Sequence, residues 1–113
     1  MALVNSRSVV RGDVYLVALD PTLGREIRKT RPCVVVSPDE LNGALATFIV
    51  APLTTGSHPY PFRVSCRFGG KSGHVVLDQL RTVDRIRLVK RIGRLSQAPL
   101  EHTLAVLQEM FAT

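Results

Sequence analysis

The stretch Thr30-Arg31-Pro32-Cys33-Val34-Val35-Val36-Ser37 places an arginine and a proline directly before a run of β-branched residues. Consecutive valines favour an extended strand, and Pro32 biases the residue before it away from the helical backbone region. The guanidinium of Arg31 is therefore expected in a defined position at the mouth of a strand. We predict that residues 32–37 form one strand of a mainly β fold.

More short apolar runs have the same character, with frequent β-branched residues and with Gly, Pro, Asp or Ser between them. They predict strands at residues 14–19, 47–53, 62–66 and 74–80. Short strands at this spacing are typical of a small β-barrel. Residues 38–43, closed by Gly43, and residues 84–89 each predict a helical turn, and residues 92–95 predict a last strand.

The C-terminal region has a different periodicity. Leu100, Leu104, Leu107 and Phe111 recur at helical spacing, which predicts an amphipathic helix with one face packed on the barrel. No internal repeat, linker or low-complexity segment interrupts the sequence. We therefore expect a single domain over residues 1–113, with an α+β composition dominated by strands.

The composition fits a small basic protein with one hydrophobic core. Fifteen Lys and Arg against nine Asp and Glu give a net charge of +6, which favours a polyanionic partner, although a soluble basic surface has the same balance. Cys33 and Cys66 lie in apolar runs without metal-ligand spacing, so we expect buried free thiols in a reducing, cytoplasmic compartment and no metal or other cofactor. Residues 1–7 lack a long apolar core and no apolar run reaches about 18 residues, so we expect neither a signal peptide nor a membrane span.

Two loops beside these strands differ in chemistry. Residues 24–32 read Gly-Arg-Glu-Ile-Arg-Lys-Thr-Arg-Pro and are basic, whereas residues 51–62 read Ala-Pro-Leu-Thr-Thr-Gly-Ser-His-Pro-Tyr-Pro-Phe and contain several hydroxyls. Metal-free cleavage of a phosphodiester needs a proton acceptor for an attacking hydroxyl, charge stabilisation at phosphorus and a donor for the leaving oxygen. The planar fork of Arg31 suits two phosphate oxygens, and the hydroxyl of Thr54 suits one. A surface ion pair and a turn-capping hydroxyl are the structural alternatives.

Taken with Arg11-Gly12-Asp13-Val14-Tyr15, Asp20-Pro21-Thr22 and Val76-Leu77-Asp78-Gln79-Leu80-Arg81-Thr82-Val83-Asp84, the two loops resemble the MazF/PemK toxin family. The resemblance runs from residue 11 to residue 96. It implies an SH3-like β-barrel with short helices, usually a homodimer. It also implies a ribosome-independent endoribonuclease that cuts single-stranded mRNA at selected sequences and so inhibits translation and growth. A small acidic antitoxin, encoded beside the toxin, is the implied protein partner.

The resemblance assigns three residues to the reaction. Arg31 before its proline and Thr54 in the second loop match the arginine and the first loop threonine that act in the family. Glu26 corresponds to the family's glutamate and is the candidate for proton transfer or for holding the arginine. A solvated glutamate that balances the neighbouring positive charges is the alternative for Glu26.

Further residues are predicted to contact RNA, namely Arg25, Arg28, Lys29, Thr55, Ser57, His58, Tyr60, Gln79 and Arg81. Tyr60 is the candidate for stacking on an unpaired base, and Phe62 is expected in the core. Gln79, placed on a long strand, either reads a base edge or bonds to backbone. His58 is either an RNA contact or a bystander. Where relatives often carry Gln and Gly, this sequence has Ile27-Arg28-Lys29-Thr30, which predicts a stiffer and more basic loop.

Two other functions fit a small basic barrel. Toxins of the same barrel that poison DNA gyrase depend on a Trp-Gly-Ile C-terminus, whereas this sequence contains no Trp and ends Met110-Phe111-Ala112-Thr113. A catalytically silent RNA- or protein-binding barrel would use the basic surface equally well. Cleavage of a defined single-stranded RNA separates that alternative from the endoribonuclease.

Overall fold

The computed structural model describes residues 8–56 and 58–113 of the chain. Within these residues the chain forms seven strands and two α-helices. In chain order they are β1 Asp13–Ala18, β2 Thr30–Val35, α1 Asp39–Ala44, β3 Thr47–Thr55, β4 Arg63–Phe68, β5 Lys71–Val76, β6 Arg81–Asp84, β7 Leu88–Arg94 and α2 Gln97–Met110. Short 3-10 turns at Leu77–Gln79 and Arg85–Arg87 flank β6.

The strands form one antiparallel sheet in the order β4-β5-β3-β2-β1-β7. Strand β3 organises it, because one edge pairs with β2 while the other edge pairs first with β6 and then with β5. The predicted mainly β fold with short helices is confirmed. The sheet is not closed by hydrogen bonds, however, so "barrel" describes it only loosely.

A side chain links the two ends of this open sheet. Phe68 of β4 packs so closely on Gly93 of β7 that a Cβ at position 93 would lie 2.9 Å from its Cζ atom. The ring of Phe68 thus occupies space that strand pairing would fill in a closed barrel.

Strands β1, β2 and β3 are buried on both faces of the sheet. In β2, Cys33 and Val35 belong to one apolar cluster and Val34 belongs to a second cluster on the opposite face. Successive side chains of a strand point to opposite faces, which explains why this strand is an uninterrupted apolar run instead of an alternating one. The first cluster also receives the partly buried Ile27, and the second is covered by β4, β5 and α2.

Helix α2 has the predicted amphipathic character. Leu100 is buried, and Leu104 and Leu107 pack against the second cluster. Phe111 was predicted on the same apolar face, and this is wrong: it follows the last helical residue as the C-cap and its side chain is 71% exposed. None of the helices formed by residues 8–56 and 58–113 has the length and apolarity needed to cross a bilayer.

The predicted strand at residues 74–80 is wrong in its second half. Strand β5 ends at Val76, and Asp78 and Gln79 lie in the 3-10 turn that follows. The turn is required because β5 and β6 pair with different segments of the same edge of β3, so the chain must shift between them.

Three further predictions need correction. The sequence did not predict strand β6. Strand β7 is longer than the predicted residues 92–95, because its exposed cations obscure the alternation of apolar and polar residues. The turn predicted at residues 84–89 is confined to Arg85–Arg87. Phe62 was expected in the core, but it precedes β4 with φ 63° and is 45% exposed. Cys33 is buried as expected, whereas Cys66 is only partly buried; both thiols are free.

Candidate functional site

A cleft of about 760 Å³ opens beside the starts of β2 and β5 and the ends of β3 and β4. Its rim is basic and its floor is apolar. It is lined by Arg25, Glu26, Ile27, Arg28, Arg31, Pro32, Leu53, Thr54, Thr55, Cys66, Phe68, Gly69, Lys71 and Gly73. The basic loop and the hydroxyl-bearing strand end predicted from the sequence therefore meet in one cavity.

One wall is the β1–β2 loop, defined here as residues 19–29. Its ends are tied together, because the Leu19 N–H donates to the Lys29 carbonyl (2.9 Å) and the Lys29 N–H donates to the Asp20 carboxylate (3.1 Å). The Thr22 hydroxyl donates to the other oxygen of that carboxylate (2.8 Å). Lys29 adopts φ 68°, a left-handed conformation that reverses the chain before β2 begins. The loop is thus a closed, internally bonded unit.

Three side chains from residues 79–87, more than fifty positions further along the chain, also bind the β1–β2 loop. The Gln79 side-chain oxygen accepts from the Ile27 N–H (2.6 Å), and its amide nitrogen donates to the Arg25 carbonyl (3.3 Å). Arg81 donates to the Leu19 carbonyl (3.1 Å). Arg87 donates to backbone carbonyls at positions 18 and 20, at 3.0 and 2.6 Å.

Arg31 stands at the mouth of β2, as predicted, and is exposed. Its Nε–H donates to the Arg28 carbonyl at 3.2 Å, which fixes the orientation of the guanidinium. Within the described part of the chain, no protein acceptor occupies its two terminal NH₂ groups. Those two groups form the half of the fork that binds an oxyanion in a bidentate manner.

Thr54 lines the same cleft from the end of β3. Its hydroxyl oxygen is buried and has no hydrogen-bond partner among the residues that the structure describes. A buried hydroxyl without a partner costs about 1–3 kcal/mol. An acceptor delivered by a ligand would remove that cost, so Thr54 is suited to binding a phosphate oxygen.

Glu26 lines the cleft too, but it is engaged in its own turn. Its carboxylate accepts from the Leu23 N–H, and its own N–H donates to the Leu23 carbonyl at 3.1 Å. Within residues 8–56 and 58–113, no ion pair joins Glu26 to Arg31. The structure therefore does not show Glu26 holding the arginine, and leaves it as a carboxylate in the wall of the cleft.

The predicted RNA contacts divide between regions. Arg25, Arg28 and Thr55 line the cleft, while Gln79 and Arg81 line an adjoining pocket of about 380 Å³ that shares Arg25 and Glu26. Lys29 contributes its backbone to loop closure and does not line the cleft. Ser57 lies outside the described residues.

Tyr60 and His58 lie away from this cleft. Their ring centroids are 4.9 Å apart, and the Arg63 guanidinium carbon lies 4.8 Å from the centroid of Tyr60, which is 55% exposed. Arg63 in turn makes two 2.9 Å hydrogen bonds to Asp78. These bonds lower the pKa of Asp78 and raise that of Arg63. The ring of Tyr60 therefore contacts a cation and the His58 ring, and more than half of the residue is exposed to solvent.

Sequence reasoning missed several cleft residues. Lys71 adds a fourth cation, Phe68 and Cys66 form part of the floor, and Gly73 allows β5 to approach β3: a Cβ there would lie 1.6 Å from the Thr54 carbonyl oxygen. A glycine inside a strand pattern is a recognised signal of close backbone approach, and it was present in the sequence. Lys71 and Phe68 carry no comparable signal.

The two cysteines show no reactive character. Burial raises the pKa of the Cys33 thiol to about 12, although the positive charge of Arg81 acts in the opposite direction. Burial also raises the pKa of the Cys66 thiol. Both thiols are therefore protonated at neutral pH and poor nucleophiles. In the part of the chain that the structure describes, no group of three or more His, Cys, Asp or Glu converges as a metal site.

Comparisons with known proteins agree in sequence and in fold. A family described as PemK-like, MazF-like toxin of type II toxin-antitoxin system matches residues 10–111. The endoribonuclease PemK of Escherichia coli is 36% identical over 103 residues, covering 86% of this chain and 77% of the relative. The endoribonuclease MazF9 of Mycobacterium tuberculosis is 37% identical over 101 residues, covering 80% and 85%.

Solved structures show the same likeness. The crystal structure of MazF from Deinococcus radiodurans superposes with a TM-score of 0.80 at 26% identity, covering 92% of this chain and 96% of that one. A MazE–MazF structure from the same organism superposes with a TM-score of 0.71 at 25% identity, with the same coverage of 92% and 96%.

Proposed function

This chain belongs to the PemK-like, MazF-like toxins of type II toxin–antitoxin systems, and we propose that it inhibits growth by cleaving single-stranded mRNA in the cleft around Arg31. It is an endoribonuclease toxin by its family and by its curated relatives. The observation that carries the assignment of the cleft is the guanidinium of Arg31, oriented by its bond to the Arg28 carbonyl, in one cavity with the buried hydroxyl of Thr54. Among residues 8–56 and 58–113, neither the two NH₂ groups of Arg31 nor this hydroxyl has a hydrogen-bond partner.

In the proposed reaction, the ribose 2′-oxygen attacks the adjacent phosphorus and the bond from phosphorus to the 5′-oxygen breaks. Glu26, the carboxylate in the wall of the cleft, accepts the proton of the 2′-hydroxyl, and the leaving 5′-oxygen takes a proton from water. Arg31 stabilises the charge that develops on the two non-bridging oxygens, and Thr54 donates to one of them. The products are a 2′,3′-cyclic phosphate, which hydrolysis opens to a 3′-phosphate, and a 5′-hydroxyl end.

The rim of the cleft supports RNA as the substrate. Arg25, Arg28 and Lys71 surround Arg31, and such cations bind the phosphates on either side of the reacting one. Phosphate contacts supply affinity without reading sequence. We assign selectivity to contacts with unpaired bases, for which Thr55 in the cleft and the exposed ring of Tyr60 are candidates. Lys29, Ser57, His58 and Arg81 remain predicted contacts of a longer RNA.

The proposed partners follow from the same family. We propose a homodimer that acts in the cytoplasm, where mRNA is present, and that is restrained by a small acidic antitoxin. The solved MazE–MazF complexes support an antitoxin as the partner. An acidic, partly disordered segment would lie over residues 25–31, since opposite charge speeds encounter and folding on binding covers a large surface. It would therefore compete with RNA.

Cleavage of a defined single-stranded RNA tests the reaction directly. The purified chain should cut it equally well in EDTA and leave 5′-hydroxyl ends, because a fixed guanidinium supplies the charge stabilisation. Arg31→Ala should lower kcat by about 10²- to 10³-fold, as does the loss of one oxyanion donor elsewhere. Arg31→Lys should not restore the rate, because an ammonium lacks the fork.

Arg28→Ala is the matched control for Arg31→Ala. It should chiefly weaken binding and reduce the dependence of affinity on salt, with little effect on kcat at saturating RNA. A rate that disappears in EDTA and returns with magnesium would refute the metal-independent reaction. Tight RNA binding without any cleavage would favour the silent barrel instead.

The antitoxin proposal has a separate test. Binding of the cognate antitoxin should block cleavage, and the complex should weaken as salt rises or when Arg25, Arg28 and Lys29 are changed to Glu. An antitoxin that binds while cleavage continues would show that it covers another surface.

A further inference from the structure

Gln79 binds the part of the β1–β2 loop that lines the cleft. Its side-chain amide binds the loop in both directions, accepting from the Ile27 N–H at 2.6 Å and donating to the Arg25 carbonyl at 3.3 Å. These two backbone groups flank Glu26. The side chain of Ile27 is partly buried against the first apolar cluster, so this point of the loop is held by apolar packing as well.

From this point a series of bonds leads to Arg31. The backbone continues from Ile27 to the Arg28 carbonyl, which accepts from the Nε–H of Arg31 at 3.2 Å. The position of the Arg28 carbonyl therefore sets the direction of the guanidinium. If residues 25–28 shift, Arg31 shifts with them.

We propose that Gln79 is a positioning residue that places the Arg25–Arg28 backbone, and through it the guanidinium of Arg31, for phosphodiester cleavage. The inference rests on the proposed function of the cleft. This role differs from reading a base edge, because one bond at the amide oxygen and one at the amide nitrogen direct the side chain of Gln79 to the β1–β2 loop. Arg81 and Arg87, which bind carbonyls at positions 18–20, hold the beginning of the same loop.

Gln79→Met tests the proposal, because methionine is of similar length and can make neither hydrogen bond. A displacement of about 1 Å at a reacting group can cost about 100-fold in rate. We therefore expect kcat on saturating RNA to fall by about tenfold to 100-fold, with KM changed much less. The same fractional loss should appear on every cleavable sequence in a panel of RNAs, and hydrogen exchange at the Ile27 amide should become faster.

Gln97→Met is the matched control. Gln97 is an exposed glutamine on α2 whose amide donates only to Glu101, at 3.1 Å, so its replacement should leave kcat, KM and exchange at Ile27 unchanged. Gln79→Glu is the conservative variant. It keeps an acceptor for the Ile27 N–H but sets a carboxylate oxygen against the Arg25 carbonyl, so its kcat should also fall below that of wild type.

The outcomes are distinct. If the wild-type chain does not cleave RNA, the proposed function fails. If wild type cleaves and Gln79→Met keeps its kcat, or changes which sequences are cut, the positioning role is overturned, and a changed preference would indicate a base contact. If Gln79→Met does not fold, the decision rests on Gln79→Glu: a uniform loss in kcat supports the proposal, and an unchanged kcat overturns it.

Discussion

The two loops predicted to form the site are held in different ways. The β1–β2 loop is bonded by Gln79, Arg81 and Arg87, which lie more than fifty positions further along the chain. The β3–β4 loop, described at residues 56 and 58–62, is bonded through backbone groups. The Gly56 N–H donates to the Ser72 carbonyl of β5, the Tyr60 N–H to the His58 carbonyl and the Arg63 N–H to the Tyr60 carbonyl. The first loop forms a wall of the cleft, whereas no described residue of the second lines it.

The comparison shows what a loop sequence leaves undecided. Both segments contain side chains suited to RNA, and their composition alone predicts two similar binding loops. The backbone of the first loop is bonded by the distant side chains of Gln79, Arg81 and Arg87. In the described part of the second loop, the distant bond is one between backbones, from the Gly56 N–H to the Ser72 carbonyl. The second presents His58 and Tyr60 on a surface where they can contact RNA without being part of the reacting centre.

The largest effect on stability should come from disrupting the pairing of β5 with the end of β3, where the cleft and the second loop meet. In Gly73→Ala, the new Cβ would collide with the Thr54 carbonyl oxygen at 1.6 Å, so β5 must separate from β3. We expect a loss of about 3 kcal/mol or more in the free energy of unfolding, together with loss of cleavage. Urea denaturation and an RNA cleavage assay measure the two effects.

Gly43→Ala serves as the control for Gly73→Ala. Gly43 lies in α1, and apart from its chain neighbours and the backbone of its own helix, no described atom lies within 4 Å of the Cβ that would be added. Alanine is a better helix former by about 1 kcal/mol, so this variant should be as stable as wild type or slightly more stable. Equal stability of the two alanine variants would mean that β3 and β5 are not packed as closely as described.

An intermediate effect is expected from opening the first loop. Asp20→Ala removes the acceptor for both the Lys29 N–H and the Thr22 hydroxyl. We expect about 1 kcal/mol less stability and a lower kcat, since the turn before Arg31 loses its closure. Glu109→Ala, which removes an exposed carboxylate from α2, should change stability by less than about 0.5 kcal/mol. An Asp20→Ala variant with full activity would show that loop closure and cleavage are independent.

The smallest effect should come from the contact beside the second loop. Asp78→Asn removes the carboxylate that binds Arg63, the side chain beneath Tyr60. Because the aspartate side chain is 44% exposed, we expect a loss of only about 0.5 kcal/mol and no change in kcat. A large loss of kcat would contradict the separation of the two loops.

The pH dependence of this contact has a definite sign. The bonds from Arg63 lower the pKa of Asp78 in the folded state, so the carboxylate stabilises the fold above the usual aspartate pKa of about 4. Its contribution is lost as the pH falls through the lowered value. The difference in stability between wild type and Asp78→Asn should therefore be constant near neutral pH and should disappear in acid.

The sequence predicted the elements whose residues follow one clear pattern. Strands β2 and β3 are apolar runs because both their faces are buried, and α2 shows its leucines at helical spacing. Strand β6 was missed because it is only four residues long and Val83 is its one buried residue. Strand β7 was shortened because Lys90 and Arg91 lie exposed in its middle. Phe62 was misplaced since its left-handed backbone ends the alternation that would have carried it inward.

The candidate site shows the same division. Arg31, Thr54 and Glu26 were found through their types and through the family resemblance, and the structure brings them to one cleft, where their roles remain proposals. Lys71 and Phe68 come from the β4–β5 hairpin, which carries no motif and reaches the cleft only through tertiary packing. The backbone role of Gln79 was one of two alternatives, and only the folded position of Arg25 and Ile27 distinguishes them.

The open sheet has a consequence for solubility. Strands β4 and β7 end the strand order, and free strand edges are templates for association with another copy. Both edge strands carry cations: Arg63 and Arg67 on β4, and Lys90, Arg91 and Arg94 on β7. Charged side chains on edge strands disfavour pairing with a further strand, so part of the positive charge that suits RNA is also expected to oppose edge-to-edge association. Neutralising these cations is expected to promote aggregation and also to weaken RNA binding.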